Sequence, residues 1–489
     1  MKLLGLRLCD HDSNITITNG KSVNYYKTER HYHIKHHGYS NSSFIDIVNF
    51  IKEKDIDLSD IDEAAIVVDD KNGEQIPLLT DFLGLKCKIY KVDHHLAHAL
   101  SVWPIHKTDD IKTDFVLDGF GDYDIHHSIY HNKKLFKNYN LKQHYSLGLA
   151  FSKIGSDLNL KGNGLDFAGK LMALKSFYPR DEKFINFLKT IDFLDVNEMF
   201  SLKNWVKHKK SVFVADNTFA EWFANIHFYL ENEIVNYFDQ YVDSDETFSY
   251  TGGVAQNICF NEKLKNKFKN MIIPPHSNDE GLSLGCVEWL RQKNNLDYFS
   301  DEGFPYWQTD EQPTSKPDKQ IIKKTAELLA KGKIIGWYQG KGEIGPRALG
   351  NRSILMNPTI KHGANYLNNN VKFREDFRPF GASVLEEKSK DYFDIENSKY
   401  MLYSCDVKDK ELLKNVTHID GTCRPQTVGS ENEIYRELIE EFEKLTGLPI
   451  LLNTSLNVQG EPICGSINKA KVVLNNTKLD HLVVGNEFY

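Results

Sequence analysis

The chain has 489 residues, 40% hydrophobic and 26% charged, with 31 glycines and 14 prolines. That profile excludes a disordered, collagen-like or low-complexity chain, and at a usual domain size of about 150 residues it allows three units or two large ones. A net charge of −8 speaks against a long nucleic-acid track, because such tracks neutralise phosphates with many Lys and Arg. The basic runs at 132–137, 207–210 and 263–269 read as solvated faces. No apolar stretch approaches the roughly 18 residues of a membrane span, and Arg7 and Asp10 come before any secretory core can form. The seven cysteines are scattered without a CxxC pair, which excludes zinc fingers and disulfide scaffolds and gives the expectation of a reduced, cytoplasmic protein. Thirteen of the 19 histidines fall in the first 144 residues, so imidazole chemistry is expected there.

In chain order, LLGLRLC opens a strand, Asp10–Asn14 a polar turn, and Asn19-Gly20 the turn of a hairpin. Helical spacing over 43–56 is followed by buried strands at 63–70 and 87–93 and a helix at 94–103. A second strand, acid and glycine unit at 114–122 runs into a hairpin ending near residue 142. Two such units, each with its hairpin, predict a duplicated α/β architecture. A long helix is expected at 215–245, a strand entering a glycine turn at 248–253, and a helix at 279–293. Residues 299–319 carry three prolines and no hydrophobic period, and read as a linker. A helix from Ile321 and a strand within 333–340 then begin a second α/β domain, placing the domains at 1–305 and 321–489 with 306–320 between them.

His94 and His98 lie four apart on an expected helix, so both rings leave one face. Asp118 ends a strand and Asp279 opens a helix. Two imidazoles and two carboxylates make a mixed site suited to Fe(II), Mn or Zn. An HxxxH pair alone is more often a surface feature; the acids at element ends tip the balance. Thr251-Gly252-Gly253-Val254 turns from a strand into a helix, which allows close backbone approach to a nucleotide. The C-terminal region sets Arg347, Arg352, Lys372, Arg374, Arg378 and Arg424 beside Gly, Pro, Ser and Asn. Guanidiniums in fixed turns suit phosphate or carboxylate; the plainer reading is a set of structural salt bridges.

DHHLAHA (93–99), LDGFGD (117–122), GGVAQN (252–257), NDEG (278–281), GPRALGNRSIL (345–355), KFREDFRPF (372–380), GTCRPQTV (421–428) and LNTSLN (452–457) follow one another over nearly the whole chain. In sequence and order they resemble the O-carbamoyltransferases of the NodU/CmcH/TobZ type. The resemblance implies a Kae-like domain of the duplicated actin/hexokinase-like (ASKHA) α/β fold, then a YrdC-like α/β domain with a twisted sheet. It implies that carbamoyl phosphate and ATP give carbamoyl-adenylate, from which a hydroxyl acceptor takes the carbamoyl group. Carried over by position, His94, His98, Asp118 and Asp279 match iron ligands, with Fe(II) or another divalent transition metal expected there and Mg2+ accompanying ATP. His11 and Lys35 match the transfer site, as proton acceptor and as stabiliser of the carbamoyl oxygen or leaving phosphate. Gly252, Gly253, Asn257, Arg347, Lys372, Arg374, Arg424, Ser455 and Asn457 match positions around the nucleotide and carbamoyl phosphate.

The chain departs from the family's GKxMGLAPYG at GKLMALKSFYP (169–179) and from FAPSVL at FGASVL (380–385), which bears on the acceptor rather than on carbamoyl chemistry. Expected acceptors are hydroxyls of sugars and natural products, or a hydroxymethylated nucleobase or nucleotide. His31, Tyr32, His33, His36, His37 and Tyr39, around Lys35, are expected to line its entrance. Threonylcarbamoyl transfer to tRNA is the rival enzyme reading, and an inactive nucleotide-binding scaffold the non-enzymatic one. The first wants a basic RNA face and the second lost ligands; neither fits these residues.

Overall fold

The structure, a computed structural model, describes residues 1–39, 44–68, 76–209 and 216–489. Its first sheet holds β1 (Leu3–Arg7), β2 (Asn14–Thr18), β3 (Val23–Lys27), β4 (Glu63–Val67) and β5 (Ile89–Lys91), in the order β3-β2-β1-β4-β5. β1, β2 and β3 run antiparallel, whereas β1, β4 and β5 run parallel. The second sheet repeats this plan with β6 (Thr113–Leu117), β7 (Ile125–His131), β8 (Lys134–Asn140), β9 (Phe248–Thr251) and β10 (Met271–Ile272), ordered β10-β9-β6-β7-β8. Again the first three are antiparallel and the remainder parallel. The expected duplication is therefore present strand for strand, as two lobes built on one plan.

Helix Leu282–Lys293 follows the second sheet in the chain and packs on the first. It crosses β1 so closely that a Cβ on Gly5 would lie 2.1 Å from the Ser283 carbonyl oxygen. On its other side, a Cβ on Gly285 would lie 1.9 Å from the Ala97 oxygen of helix His94–Leu100. The two contacts stack β1 and these helices, and so bring Asp279, just before the long helix, against His94 and His98. Helix His94–Leu100 stops short of the expected 103, because Pro104 disfavours helical backbone at Trp103.

The C-terminal domain is built on a third sheet. Its strands are β11 (Ile335–Tyr338), β12 (Arg352–Met356), β13 (Gly381–Leu385), β16 (Pro425–Val428), β17 (Ile450–Ser455), β18 (His481–Val484) and β19 (Glu487–Phe488), with β14 (Cys405–Asp406) and β15 (Thr422–Cys423) as a separate ladder. The order β16-β13-β17-β12-β11-β18-β19 mixes parallel and antiparallel neighbours. Helices Lys319–Ala330 and Glu433–Thr446 cover the sheet through Leu329, Leu438, Ile439 and Phe442, all fully buried.

The expected linker is packed down. Trp307 is buried, the Thr309 N–H donates to the Tyr25 oxygen at 2.7 Å, and Gln308 bridges to both Tyr25 and Gly342. Asp310, also buried, accepts from Arg352 Nη2 at 2.8 Å. Several element ends fall inside the expected ones; the expected ends at 43, 69–70 and 215, like the end of the basic run at 210, lie outside the described residues. Among the described residues no helix is long and apolar enough to cross a membrane.

Candidate active site

His94, His98, Asp118 and Asp279 converge, with one donor atom from each lying within 4.8 Å of all the others. His94 Nε2 is 3.3 Å from Asp118 Oδ2 and 3.6 Å from Asp279 Oδ1; His98 Nε2 is 3.7 Å and 3.3 Å from the same atoms. Each carboxylate turns one oxygen inward and has the other held. Asp118 Oδ1 accepts the Gly253 N–H at 2.7 Å, and Asp279 Oδ2 accepts from Arg7 Nη2 at 2.6 Å. Among the described residues neither ring nitrogen of the buried His98 makes a hydrogen bond, and Nε2 meets only the two carboxylates, so a polar group stands ready for a ligand the protein itself does not supply. Burial opposes charge on His94, yet Asp279 and Asp118 outweigh it and hold its pKa up to about 10. Burial likewise opposes ionisation of Asp279, and His94 and Arg7 keep it well below the usual carboxylate range. A buried set of two nitrogens and two oxygens fits a divalent transition metal.

Gly252, at φ +91°, puts the loop where a Cβ would meet the Leu117 oxygen at 2.2 Å, which is how the Gly253 amide reaches Asp118. Asn257 Oδ1 accepts the N–H groups of Cys259 and Phe260, capping helix Ile258–Lys267, and its Nδ2 donates to His227 Nε2 at 3.1 Å. Lys175, a departure from the family pattern, is buried against Glu231 with its ammonium 5.0 Å above the Phe228 ring.

His11, from the loop after β1, lies 3.3 Å through Nδ1 from Asp12 Oδ2 and 3.8 Å through Nε2 from Asp279 Oδ2. Burial lowers its pKa, but Asp12 and Asp279 raise it further, giving a net increase. Lys35 Nζ meets Asp166 Oδ1 at 2.5 Å. Asp12, Glu29 and His36 form a second acid-rich cluster. Lys27 fills it, with Nζ 2.6 Å from Glu280, 2.9 Å from Glu29 and 3.4 Å from Asp12, so an ammonium already supplies the positive charge. Most of the residues around Lys35 that are expected to line the acceptor entrance pack on one another and on neighbouring rings, and only Tyr39 of the six is buried. His31 packs 5.2 Å from Phe50, Tyr32 4.5 Å from His37 and His37 5.1 Å from Tyr39, between ring centroids. Tyr39 is only 3% exposed, because ring-on-ring contact removes more apolar area from water than a solvated loop would. His33 points elsewhere, 3.3 Å from Glu461 of the C-terminal domain.

In that domain Lys372 Nζ donates to the Ser455 carbonyl at 2.6 Å, and to the Asn457 carbonyl and Oδ1 at 2.6 and 2.5 Å. Three expected residues are thereby fixed as one unit. Around them Arg347, Arg374, Arg378 and Arg424 crowd together, half-buried. Burial and the neighbouring guanidiniums push Arg347 and Arg374 well below the ordinary range; burial above all brings Arg424 down to about 10. Arg347 Nε and Arg424 Nε are buried without a partner. Arg352 is paired with Asp310 as the salt-bridge reading foresees, and Arg378 lies 3.8 Å from Glu375. Arg347, Arg374 and Arg424 depress one another's proton affinity directly or through Arg378, an arrangement suited to an anion.

The two sites face each other across the domain junction. Lys170 Nζ meets Glu375 Oε1 at 2.6 Å, and Arg30 Nη2 donates to the Gly345 oxygen at 3.3 Å. Lys35 adds to the field that depresses Lys372, and Glu280 favours the charged form of Arg347.

Residues 78–287 match the carbamoyltransferase N-terminus and residues 326–489 the carbamoyltransferase C-terminus. The chain belongs to the carbamoyltransferase family. It is 38% identical over 265 residues to nodulation protein NolNO of Sinorhizobium fredii, covering 49% of this chain and 39% of that protein. An uncharacterized Methanocaldococcus jannaschii protein is 30% identical over 440 residues, covering 77% and 70%. The aligned part spans less than half the length of NolNO and of Bradyrhizobium diazoefficiens NolO, at 39% and 47%. Among solved structures, the 2-hydroxyisocaproyl-CoA dehydratase activator from Clostridium difficile covers 61% of this chain and 100% of its own, at 13% identity and a TM-score of 0.38.

Proposed function

We propose that the chain is an ATP-dependent O-carbamoyltransferase. In the C-terminal domain, water attacks the phosphorus of carbamoyl phosphate and releases inorganic phosphate and carbamate, whose oxygen then attacks the α-phosphorus of ATP and displaces pyrophosphate. In the N-terminal domain, an acceptor hydroxyl attacks the carbamoyl carbon of the adenylate; AMP leaves and the hydroxyl proton passes to His11. Arg347, Arg374, Arg424 and Lys372 hold the phosphates, with Ser455 and Asn457 fixing Lys372. The backbone at Gly252 and Gly253 borders the nucleotide, and Lys35 stabilises the developing negative charge. A proton affinity raised by Asp12 suits His11 to accept a proton. His94, His98, Asp118 and Asp279 would hold Fe(II) or another divalent transition metal, which when bound neutralises phosphate charge as a Lewis acid. Mg2+ accompanies ATP.

The observation that supports this reading is the guanidinium cluster of Arg347, Arg374 and Arg424 in the same chain as the His/Asp quartet, with ion pairs and hydrogen bonds joining the two parts near both. A water-sensitive mixed anhydride formed at the first needs such a sheltered route to the second. The acceptor is a sugar, natural-product or hydroxymethyl-nucleobase hydroxyl. All seven cysteines are free, in keeping with a reducing cytoplasm. The test is pyrophosphate release from ATP with carbamoyl phosphate, with Mg2+ and Fe(II) supplied. Release that depends on carbamoyl phosphate supports the proposal, and its absence overturns it.

A further inference from the structure

His36 stands between two carboxylates contributed by different lobes. Its Nδ1 is 3.1 and 3.2 Å from the oxygens of Asp12, on the loop after β1, and its Nε2 is 3.3 Å from Asp166 Oδ1, in the second lobe. The same Asp12 holds His11 Nδ1 at 3.3 Å, and the same Asp166 oxygen holds Lys35 Nζ at 2.5 Å. The resulting chain runs His11, Asp12, His36, Asp166, Lys35, with the two transfer residues at its ends. The backbone is bent to make it. Asp12 and His36 both take left-handed conformations, at φ 52° and 55°, uncommon for residues with a side chain although Asp and His adopt them more readily than most. Here the His36 N–H donates to Glu29 Oε2 at 2.9 Å, and the Ser13 N–H to the His37 oxygen at 3.0 Å.

We infer that His36 is a positioning residue for carbamoyl transfer, holding His11 and Lys35 in register through Asp12 and Asp166 and doing so only while the second lobe is closed on the first. This rests on the proposed activity. His36 has both ring nitrogens engaged by carboxylates of the protein, so its part is to hold other residues in place. Its effect is geometric: displacing a transfer group by about 1 Å costs on the order of 100-fold in rate. Opening the lobes removes Asp166, frees Lys35 and leaves His36 with one partner, so the transfer site comes together only around an enclosed adenylate.

The test uses the full chain and His36→Gln, Asp166→Asn and the double variant. Pyrophosphate release reads adenylate formation; AMP release in the presence of glycerol, supplied as a simple hydroxyl acceptor, reads its consumption. The expected result for each single variant is pyrophosphate release within about twofold of wild type and AMP release slowed roughly 10- to 100-fold. The double variant should be no slower than the slower single one, because either change breaks the same chain. Hydrogen exchange of the amides at 161–167 should rise in His36→Gln, a readout independent of catalysis. An unchanged ratio of AMP to pyrophosphate release, multiplicative losses in the double variant, or unaltered exchange at 161–167 would each overturn the inference. A wild-type protein that releases no pyrophosphate overturns the proposed activity instead, and the bridge then stands or falls on the exchange result.

Discussion

Arg7, the last residue of β1, donates to Asp279 across 2.6 Å although 272 residues separate them, and both side chains are buried. The pair fixes the inward oxygen of Asp279 at 3.3 Å from His98 and 3.6 Å from His94. It also offsets part of the charge that two buried carboxylates bring to the quartet. Removing one partner of such a pair leaves a buried charge uncompensated, which costs about 3–5 kcal/mol. Arg7→Met is therefore expected to lower the thermal midpoint of the metal-free protein and to weaken metal binding roughly 10- to 100-fold. A metal titration followed by calorimetry checks both; equal affinity in the variant would mean that Arg7 does not orient Asp279.

The quartet itself gives the second prediction. Protein purified with its metal should carry one transition metal ion per chain, bound by two imidazoles and two carboxylates. His94→Ala with His98→Ala should lose it, since two remaining carboxylates cannot complete the site. Elemental analysis decides, and metal content equal to wild type would remove these residues from the site.

Much of this quartet is legible in the sequence. His94 and His98 declare themselves by helical spacing, and Asp118 and Asp279 by lying at element ends; all four meet as expected. The duplicated lobes are legible for a similar reason, because strand, acid and hairpin recur in local order. Arg7, Asp12, Lys27 and Asp166 are not legible as site residues, and His36 is legible only as part of the His/Tyr run, since their partners come from distant parts of the chain or the other lobe. The adjacent His11 and Asp12 are the one local hint. Arg378 is displayed by its motif with Arg347, Arg374 and Arg424, and the structure adds that it lies among them with Glu375 3.8 Å away. For the His/Tyr run, composition records the aromatic rings but not which of them pack against one another.

The third prediction separates the half-reactions. Arg424→Ala should abolish pyrophosphate release by removing a guanidinium from the anion site, whereas His11→Ala should retain it and block carbamate product. Lys372→Met should do more than stop adenylate formation. It strips the donor from the carbonyls of Ser455 and Asn457, and leaving a buried acceptor unpaired costs about 1–3 kcal/mol. Its denaturation midpoint should fall accordingly. Normal pyrophosphate release by Arg424→Ala would show that the division between the domains is drawn wrongly.

The last prediction concerns pH and stability. Burial would lower the pKa of His36, but Asp12 and Asp166 prevail, with Glu29 adding to them, and raise it from the ordinary 6.5 to about 10. The nearby cations, Lys27 with Asp12 and Lys35 with Asp166, hold those carboxylates ionised, as does His11. A pKa raised on folding means that the native state binds the proton more tightly than the unfolded chain. The resulting stabilisation is complete below about pH 6.5, declines as pH rises, and is lost above about 10. Wild-type protein should therefore lose thermal midpoint between pH 6.5 and 10 more steeply than His36→Gln, whose amide carries no titrating proton. Below pH 6.5 the two curves should run parallel, wild type higher. Thermal midpoints across this range, at constant ionic strength, make the comparison. Identical slopes between pH 6.5 and 10 would mean that His36 does not carry its proton between Asp12 and Asp166 in the folded protein.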